Sequence, residues 1–356
     1  MRRIDIVFFD AGGGHRAAAT ALKLVIEQQR RPWQVRLVHL KDILDSIDVF
    51  RKATHIDLQE IYNLMLRKGW TLGSPQGLRF MQGVIAMMRK PAVKLLAEFW
   101  RNDAPDMVVS VVPNFNRALY EGWQTAAPGR PYVTVLTDFA DYPPHFWIER
   151  QPQDFICGTP KAVEQAVELG HPRERIFQTS GMILHPRFYE PLEIDRAAER
   201  KKLGLDPDKR TGLVLFGGYG SAAMRSIQAQ LAGEQLILIA GKNDKLRRAL
   251  ADNPRHHVEG FTTQVPYFMK LADYFVGKPG PGSLSEAIHF GLPALTVSNA
   301  WTLPQERYNA QWLVENNYGV VLKSFRGVAS AIRRLPEKIT PPANRALFEI
   351  VDHWAA

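Results

Sequence analysis

The run from Gly277 to Gly319, GKPGPGSLSEAIHFGLPALTVSNAWTLPQERYNAQWLVENNYG, constrains the fold more than any other part of the chain. It reads as a Gly/Pro loop, a helix, a short buried strand and a second, polar helix start. The apolar spacing through Leu284-Ser285-Glu286-Ala287-Ile288 predicts a helix that begins at Ser283 or Leu284. A Gly-rich turn feeding a helix N-terminus offers backbone N–H groups and a positive dipole end to an anion, and phosphate is the obvious guest. Glu286 then falls in the first turn, within reach of a hydroxylated ligand such as a ribose. Further on, Gln305, Glu306 and Asn309 open another helical run, with Glu306 and Asn309 on one face, a set that suits sugar hydroxyls. A turn, a capped helix and a solvated polar face explain the same spacing, so spacing alone leaves both readings open.

The start of the chain repeats the theme. The apolar residues 4–9 form a buried parallel-strand candidate that runs directly into Asp10-Ala11-Gly12-Gly13-Gly14-His15-Arg16, ahead of a predicted helix over 17–29. These glycines fit neither the dinucleotide fingerprint Gly-x-Gly-x-x-Gly nor the Walker pattern, which lacks its Gly-Lys-Ser/Thr here. His15 lies at the carboxyl end of the first strand, where open α/β sheets bind ligands. Further apolar runs over 34–40, 106–112 and 132–136 follow, the last ending at Thr137-Asp138. A carboxylate at that place is a candidate acid or base, or a cap for the next turn.

The pattern restarts in the second half: 212–216 ends in Gly217-Gly218-Tyr219-Gly220-Ser221, 235–240 leads to Gly241-Lys242-Asn243, and 258–261 and 274–277 are short strands. Two glycine-loop sheets predict an α/β protein of two Rossmann-like domains facing each other, with the site in the cleft between them. The boundary is expected near Tyr189, giving domains over 1–188 and 189–340, with 341–356 a terminal amphipathic helix.

Length and composition narrow the function classes. At 356 residues and 46% hydrophobic content the chain fills two ordinary domains. Cys157, the single cysteine, cannot form an internal disulfide, and MRRIDIVFFD lacks the uninterrupted apolar core of a signal peptide, so a cytoplasmic location is expected. No apolar run approaches the roughly 18 residues that span a bilayer. The net charge of +9 favours an anionic partner. Nucleic acid is disfavoured, because no helix-turn-helix, zinc-finger or RNA-binding signature accompanies the charge. Between Ile61 and Ala97 there is no acid, while Arg67, Lys68, Arg79, Arg89, Lys90 and Lys94 stand among Trp70 and many Leu and Met residues. That composition suits a surface that meets anionic lipid headgroups with apolar residues ready to insert; a pair of core helices with a basic outer face is the plainer account.

The ordered set Lys278, Gly280-Pro281-Gly282, Ser283, Glu286-Ala287, Gly291-Leu292-Pro293, Pro304-Gln305-Glu306 and Asn309 resembles the donor-nucleotide half of glycosyltransferases of the monogalactosyldiacylglycerol synthase family, which are related to the peptidoglycan N-acetylglucosaminyltransferase. Gly12-Gly13-Gly14-His15-Arg16-Ala17 and Ala19 match the family's Gly-Gly-Gly-His-Arg-Ala-x-Ala. The resemblance implies the GT-B arrangement, a membrane and lipid-acceptor region in the first half, and a terminal helix that crosses back onto the first domain. On the acceptor side the chain departs from the family. Pro143-Pro144-His145-Phe146-Trp147 stands where the family has His-Pro-Thr-Trp, and Val112 stands where it has a histidine.

What the resemblance implies is an inverting transferase that moves a hexose from a UDP-sugar to a lipid, diacylglycerol first, as a peripheral, monotopic protein at the cytoplasmic membrane face. His15 or Asp138 then serves as the base, with Gly13 and Gly14 on the acceptor side. Gly220, Ser221, Lys278, Gly280, Gly282 and Ser283 hold the diphosphate, Phe261 lies by the uracil, Glu286 binds ribose, and Gln305, Glu306 and Asn309 face the sugar. No cofactor is expected beyond the donor, and no obligatory metal. Competing readings are a polyprenyl-linked sugar or another lipid as acceptor, a UDP-sugar epimerase, and a non-catalytic membrane-associated nucleotide-binding protein.

Overall fold

The structure is a computed structural model that describes residues 1–10, 14–44, 75–142 and 145–356. It divides into two compact units: Met1–His185 with Leu303–Gln305 and Arg345–Ala356, and Pro186–Thr302 with Glu306–Asn344.

In the first unit six parallel strands, β1 (Arg2–Phe8), β2 (Trp33–His39), β3 (Met107–Ser110), β4 (Tyr132–Val135), β5 (Asp154–Cys157) and β6 (Ile176–Gln178), run in the order β2-β1-β3-β4-β5-β6. Every residue of β3 and β4 is buried. Helices cover a parallel sheet on both faces, so its central strands are mostly apolar, with Ser110 and Thr134 the buried exceptions, and the sequence shows them as runs rather than alternations. Helix α1 (Gly14–Gln28) follows β1 and buries Ala18, Leu22, Val25 and Ile26. Helix α2 (Pro75–Arg101) packs with helix α3 (Asn116–Ala126) around an edge-to-face pair, Trp100 and Trp123, whose centroids lie 5.5 Å apart.

The second unit holds β7 (Thr211–Leu215), β8 (Gln235–Ile239), β9 (His256–Glu259), β10 (Tyr274–Gly277), β11 (Ala294–Val297) and β12 (Gly319–Leu322) in the parallel order β12-β11-β10-β7-β8-β9. Three strands build outward from β7 in one direction and three from β10 in the other, the doubly wound Rossmann order, with its reversal between β7 and β10.

Three boundaries differ from the sequence expectation. Helix α4 (Pro281–His289) begins at Pro281 with Gly280 as its extended N-cap, ahead of Ser283, because proline's fixed φ and missing N–H suit the first helical position. The first unit closes at His185 rather than 188. The turn Pro186–Phe188 packs into the second unit, where the Phe188 carbonyl faces His289 Nε2 at 3.0 Å and its ring meets Phe290 edge-on. The terminal helix α6 spans only Ala346–Ala355 and joins the first unit, where Ser180 N donates to Glu349 Oε2 at 2.7 Å and Arg2 to the Trp354 carbonyl. Pro341 and Pro342 lie outside it.

Candidate active site

The second unit places its glycine loops at the switch point. Parallel neighbours β7 and β10 end side by side, so Gly217–Ser221 and Lys278–Gly282 leave the sheet together at its carboxyl edge, where open α/β sheets take ligands. Gly220 has φ 61°, and a Cβ there would lie 2.7 Å from the Ala240 carbonyl oxygen, so only glycine fits. Its N–H closes a turn on Gly217 O at 3.2 Å, and Ser221 Oγ accepts Ala223 N at 3.2 Å where the chain enters the next helix. Helix α4 has no side-chain cap. Pro281 carries no N–H, so the backbone donors of its first turn belong to Gly282 and Ser283.

Lys278 Nζ meets Glu306 Oε1 at 2.7 Å. Glu306 is buried, as is Asn309, whose Nδ2 donates to the Pro279 carbonyl at 2.8 Å. Glu306 closes a 3₁₀ turn and Asn309 lies in helix α5 (Arg307–Glu315), so the two brace the Lys278–Gly280 loop from the same side. Gln305, half-buried, is in that 3₁₀ turn. Glu286 is half-buried on α4, and burial pushes its carboxyl up to about 7 against the opposing pull of Arg187. Arg187 in turn donates to the Thr263 carbonyl at 2.8 Å, two residues past Phe261. Phe261 is 59% exposed.

The first unit assembles a second group of residues at the carboxyl edge of its own sheet. His15 is in the first turn of α1, and its Nδ1 lies 3.2 Å from Thr137 Oγ1. Asp138, buried, accepts the indole N–H of Trp147 at 2.8 Å, and the Trp147 ring lies 5.8 Å from that of His15. Burial lowers the His15 imidazole to about 4, opposed by the Val111 carbonyl, so it is neutral at pH 7. Trp147 is held from several sides: its N–H donates to Asp141 Oδ1 at 2.6 Å, and Asn116 Nδ2 donates to its carbonyl at 3.2 Å. Burial pushes the Asp141 carboxyl up to about 7, while the backbone N–H of Trp147 and its neighbours act to lower it. His145 is exposed, with φ 41°, and Val112 is buried.

Among the basic residues expected at a membrane, Lys90 and Lys94 are exposed on α2 and share a face with Met87, which is 72% exposed. Arg89 is turned elsewhere. It lies 3.5 Å from Glu121 and, with Leu44, Ile85, Met88, Ala92, Phe115 and Ala118, lines a small apolar crevice. Gly13, Arg67, Lys68, Trp70 and the Arg79 side chain lie outside the described residues, whereas Gly14 opens α1.

The sequence reading missed Trp147, Thr137 and Arg187 as site residues. Trp147 was visible only as an aromatic near Asp138; Arg187 carried no local signal, since its partner Glu286 is distant in the chain. Among the described residues no group of His, Cys, Asp or Glu is arranged to hold a metal ion, and no helix is long and apolar enough to cross a membrane.

Comparison with known proteins agrees with this division. The family described as monogalactosyldiacylglycerol (MGDG) synthase matches residues 15–182, and the glycosyltransferase family 28 C-terminal domain matches 214–346. A probable monogalactosyldiacylglycerol synthase 2, chloroplastic, of Oryza sativa subsp. indica is 27% identical over 355 residues, covering 94% of this chain and 73% of the relative. CalG4, the calicheamicin glycosyltransferase, superposes with TM-score 0.57 at 16% identity, covering 99% of this chain and 93% of that one. The UDP-GlcNAc 2-epimerase of Neisseria meningitidis does so with TM-score 0.59 at 12% identity, covering 99% of each. Likeness at that level shows the fold, which transferases and an epimerase share. With the two matched segments falling one on each Rossmann-like unit, the chain joins a first unit that matches the monogalactosyldiacylglycerol synthase family to a second that matches the glycosyltransferase family 28 C-terminal domain, on the fold of the GT-B glycosyltransferases.

Proposed function

We propose that the protein transfers a hexose from a UDP-sugar to diacylglycerol with inversion, working peripherally at the cytoplasmic face of a membrane. The observation that carries the donor half is the placement of Lys278 and the α4 N-terminus at the switch point of the second sheet. A cation and first-turn N–H groups there neutralise a diphosphate as it leaves, without reorganising. Glu286 takes the ribose hydroxyls, Phe261 the base, and Gln305 and Glu306 the sugar, with Asn309 fixing the loop beneath.

Direct displacement at the anomeric carbon needs a base at the acceptor hydroxyl. The first unit supplies two candidates. Asp138 is oriented by the Trp147 N–H; His15 is neutral and ready to accept a proton, though an imidazole lowered to about 4 is a weak base. We assign the base role to Asp138 and acceptor positioning to His15. Lys90, Lys94 and Met87 on α2 present charge and an apolar side chain to anionic lipid. No obligatory metal is needed where Lys278 and backbone N–H groups supply the positive charge.

The test is an acceptor comparison. Radiolabelled UDP-galactose, UDP-glucose and UDP-glucuronate are each incubated with diacylglycerol or a polyprenyl-linked sugar and resolved by thin-layer chromatography. Label in a glycosyldiacylglycerol supports the proposal; label only with the polyprenyl acceptor moves the chain to another lipid substrate.

A further inference from the structure

We propose that Lys242 reads the base of the donor nucleotide, accepting a pyrimidine that carries a carbonyl at position 4 and rejecting one that carries an amino group there. The proposal rests on the donor reading above and adds a residue that chooses between nucleotides.

Three loops at the carboxyl edge of the second sheet are tied together around Lys242. Gly241 has φ 64°, and a Cβ on it would strike the Gly218 carbonyl, so the loop after β8 lies directly on the glycine loop after β7. Lys242 N donates to that same Gly218 carbonyl at 2.8 Å, and Asn243 Nδ2 lies 3.4 Å from the Tyr219 carbonyl. On the other side Ala240 N donates to Glu259 O at 2.9 Å, joining the ends of β8 and β9 just before Phe261. The Lys242 backbone is therefore fixed against the loop expected to hold the diphosphate. Its ammonium lies 5.0 Å from the centroid of the Phe261 ring, the ring expected beside the base.

Among the described residues no carboxylate lies within ion-pairing distance of Lys242, and Glu259 is turned to Gly260 N at 2.8 Å and to His257 at 3.5 Å. An exposed cation over an aromatic face gains little. A charge-assisted hydrogen bond to a carbonyl is stronger, so an acceptor on a bound base outcompetes the ring for the ammonium.

The chemistry then selects the base. Lysine has three donors and no acceptor. Uracil offers a carbonyl oxygen at position 4; cytosine offers an amine, a donor facing a donor. Stacking on Phe261 accepts any pyrimidine because every base has a π-face, so the choice falls to Lys242. Sites built to hydrogen-bond one group discriminate sharply against the analogue that lacks it.

The experiment is calorimetric titration of the full chain with UDP and CDP, for wild type, Lys242→Met, Lys242→Arg and Phe261→Leu. Wild type is expected to bind UDP at least roughly tenfold more tightly than CDP, the size of one charge-assisted hydrogen bond. Lys242→Met should lower UDP affinity by about that factor and leave CDP nearly unchanged, while Lys242→Arg keeps the preference and Phe261→Leu weakens both nucleotides alike. Equal losses for UDP and CDP in Lys242→Met would place the ammonium on the diphosphate and overturn the proposal, as would a wild type that binds CDP as well as UDP. If the folded wild type binds neither nucleotide, the donor reading itself fails, and the assignment of Lys242 falls with it.

Discussion

The indole N–H of Trp147 donates to Asp138 Oδ2 at 2.8 Å while its ring lies against His15, so one buried side chain orients both groups that sequence reasoning left as alternatives for the base. A hydrogen bond to the ionised carboxylate favours its charged form. Trp147→Phe keeps the ring and removes that donor. We expect kcat to fall roughly tenfold to a hundredfold with UDP affinity unchanged, and the acid limb of the pH–rate profile to move upward. A loss confined to KM would show that Trp147 acts only in packing.

His15→Ala should lower turnover by about 10²-fold, the scale on which a misplaced acceptor acts, and leave UDP binding as it was, because the residue belongs to the first unit. A second readout comes from stability. The folded imidazole is lowered to about 4 from an ordinary value near 6.5, so the unfolded chain takes up the proton first. Stability from this group is present above about 6.5 and is lost as pH falls toward 4. His15→Gln should remove that part of the acid sensitivity, read as a flatter dependence of Tm on pH; an unaltered slope would show that the imidazole is already solvated.

Glu286 should give UDP affinity a pH dependence. Its carboxyl is raised to about 7 in the free protein, and ribose hydroxyls donate best to the ionised form, so binding should strengthen as pH rises through 7 and level off above it. Glu286→Gln should bind more weakly at pH 8 and show little pH dependence. Calorimetry that finds the variant as tight as wild type at pH 8 would contradict the ribose assignment.

Lys278→Met should weaken UDP far more than UMP if, as proposed, its charge neutralises the diphosphate. It also leaves Glu306 buried without its cation. Lys278→Met with Glu306→Gln should therefore recover thermal stability relative to Lys278→Met alone without recovering UDP affinity. Recovery of both would mean that the pair is structural.

At the membrane, Lys90→Gln with Lys94→Gln should weaken binding to anionic vesicles roughly thirtyfold, from about 1 kcal/mol for each charge near the surface. Arg89→Gln should do less, because Arg89 already faces Glu121. Sedimentation of the double variant equal to wild type would remove this face of α2 as the electrostatic anchor.

Much of the fold was legible because parallel sheets write themselves as short apolar runs, and β3, β4, β7 and β8 are buried along their whole length. The donor loops were legible because Gly280-Pro281-Gly282 and Gly217–Ser221 have few uses other than tight turns at strand ends. What could not be read depends on distant closure. The Trp147–Asp138 bond depends on Asp141, which accepts the backbone N–H of Trp147 and so fixes where its indole lies. The Arg187 charge acts on Glu286 because the Pro186–Phe188 turn belongs to the second unit. Arg89 carries the same charge in sequence as Lys90, and only the packing of α2 on α3 separates their roles.

The central claim is glycosyl transfer from a UDP-sugar to diacylglycerol, and the measurement that tests it most directly follows UDP release and lipid product together, with proton NMR of the anomeric centre. The account predicts that UDP and glycosyldiacylglycerol appear in equal amounts, only when diacylglycerol is present, and that the new linkage is β from an α-linked donor. Formation of an epimeric UDP-sugar without acceptor, or of an α-linked lipid, would contradict it.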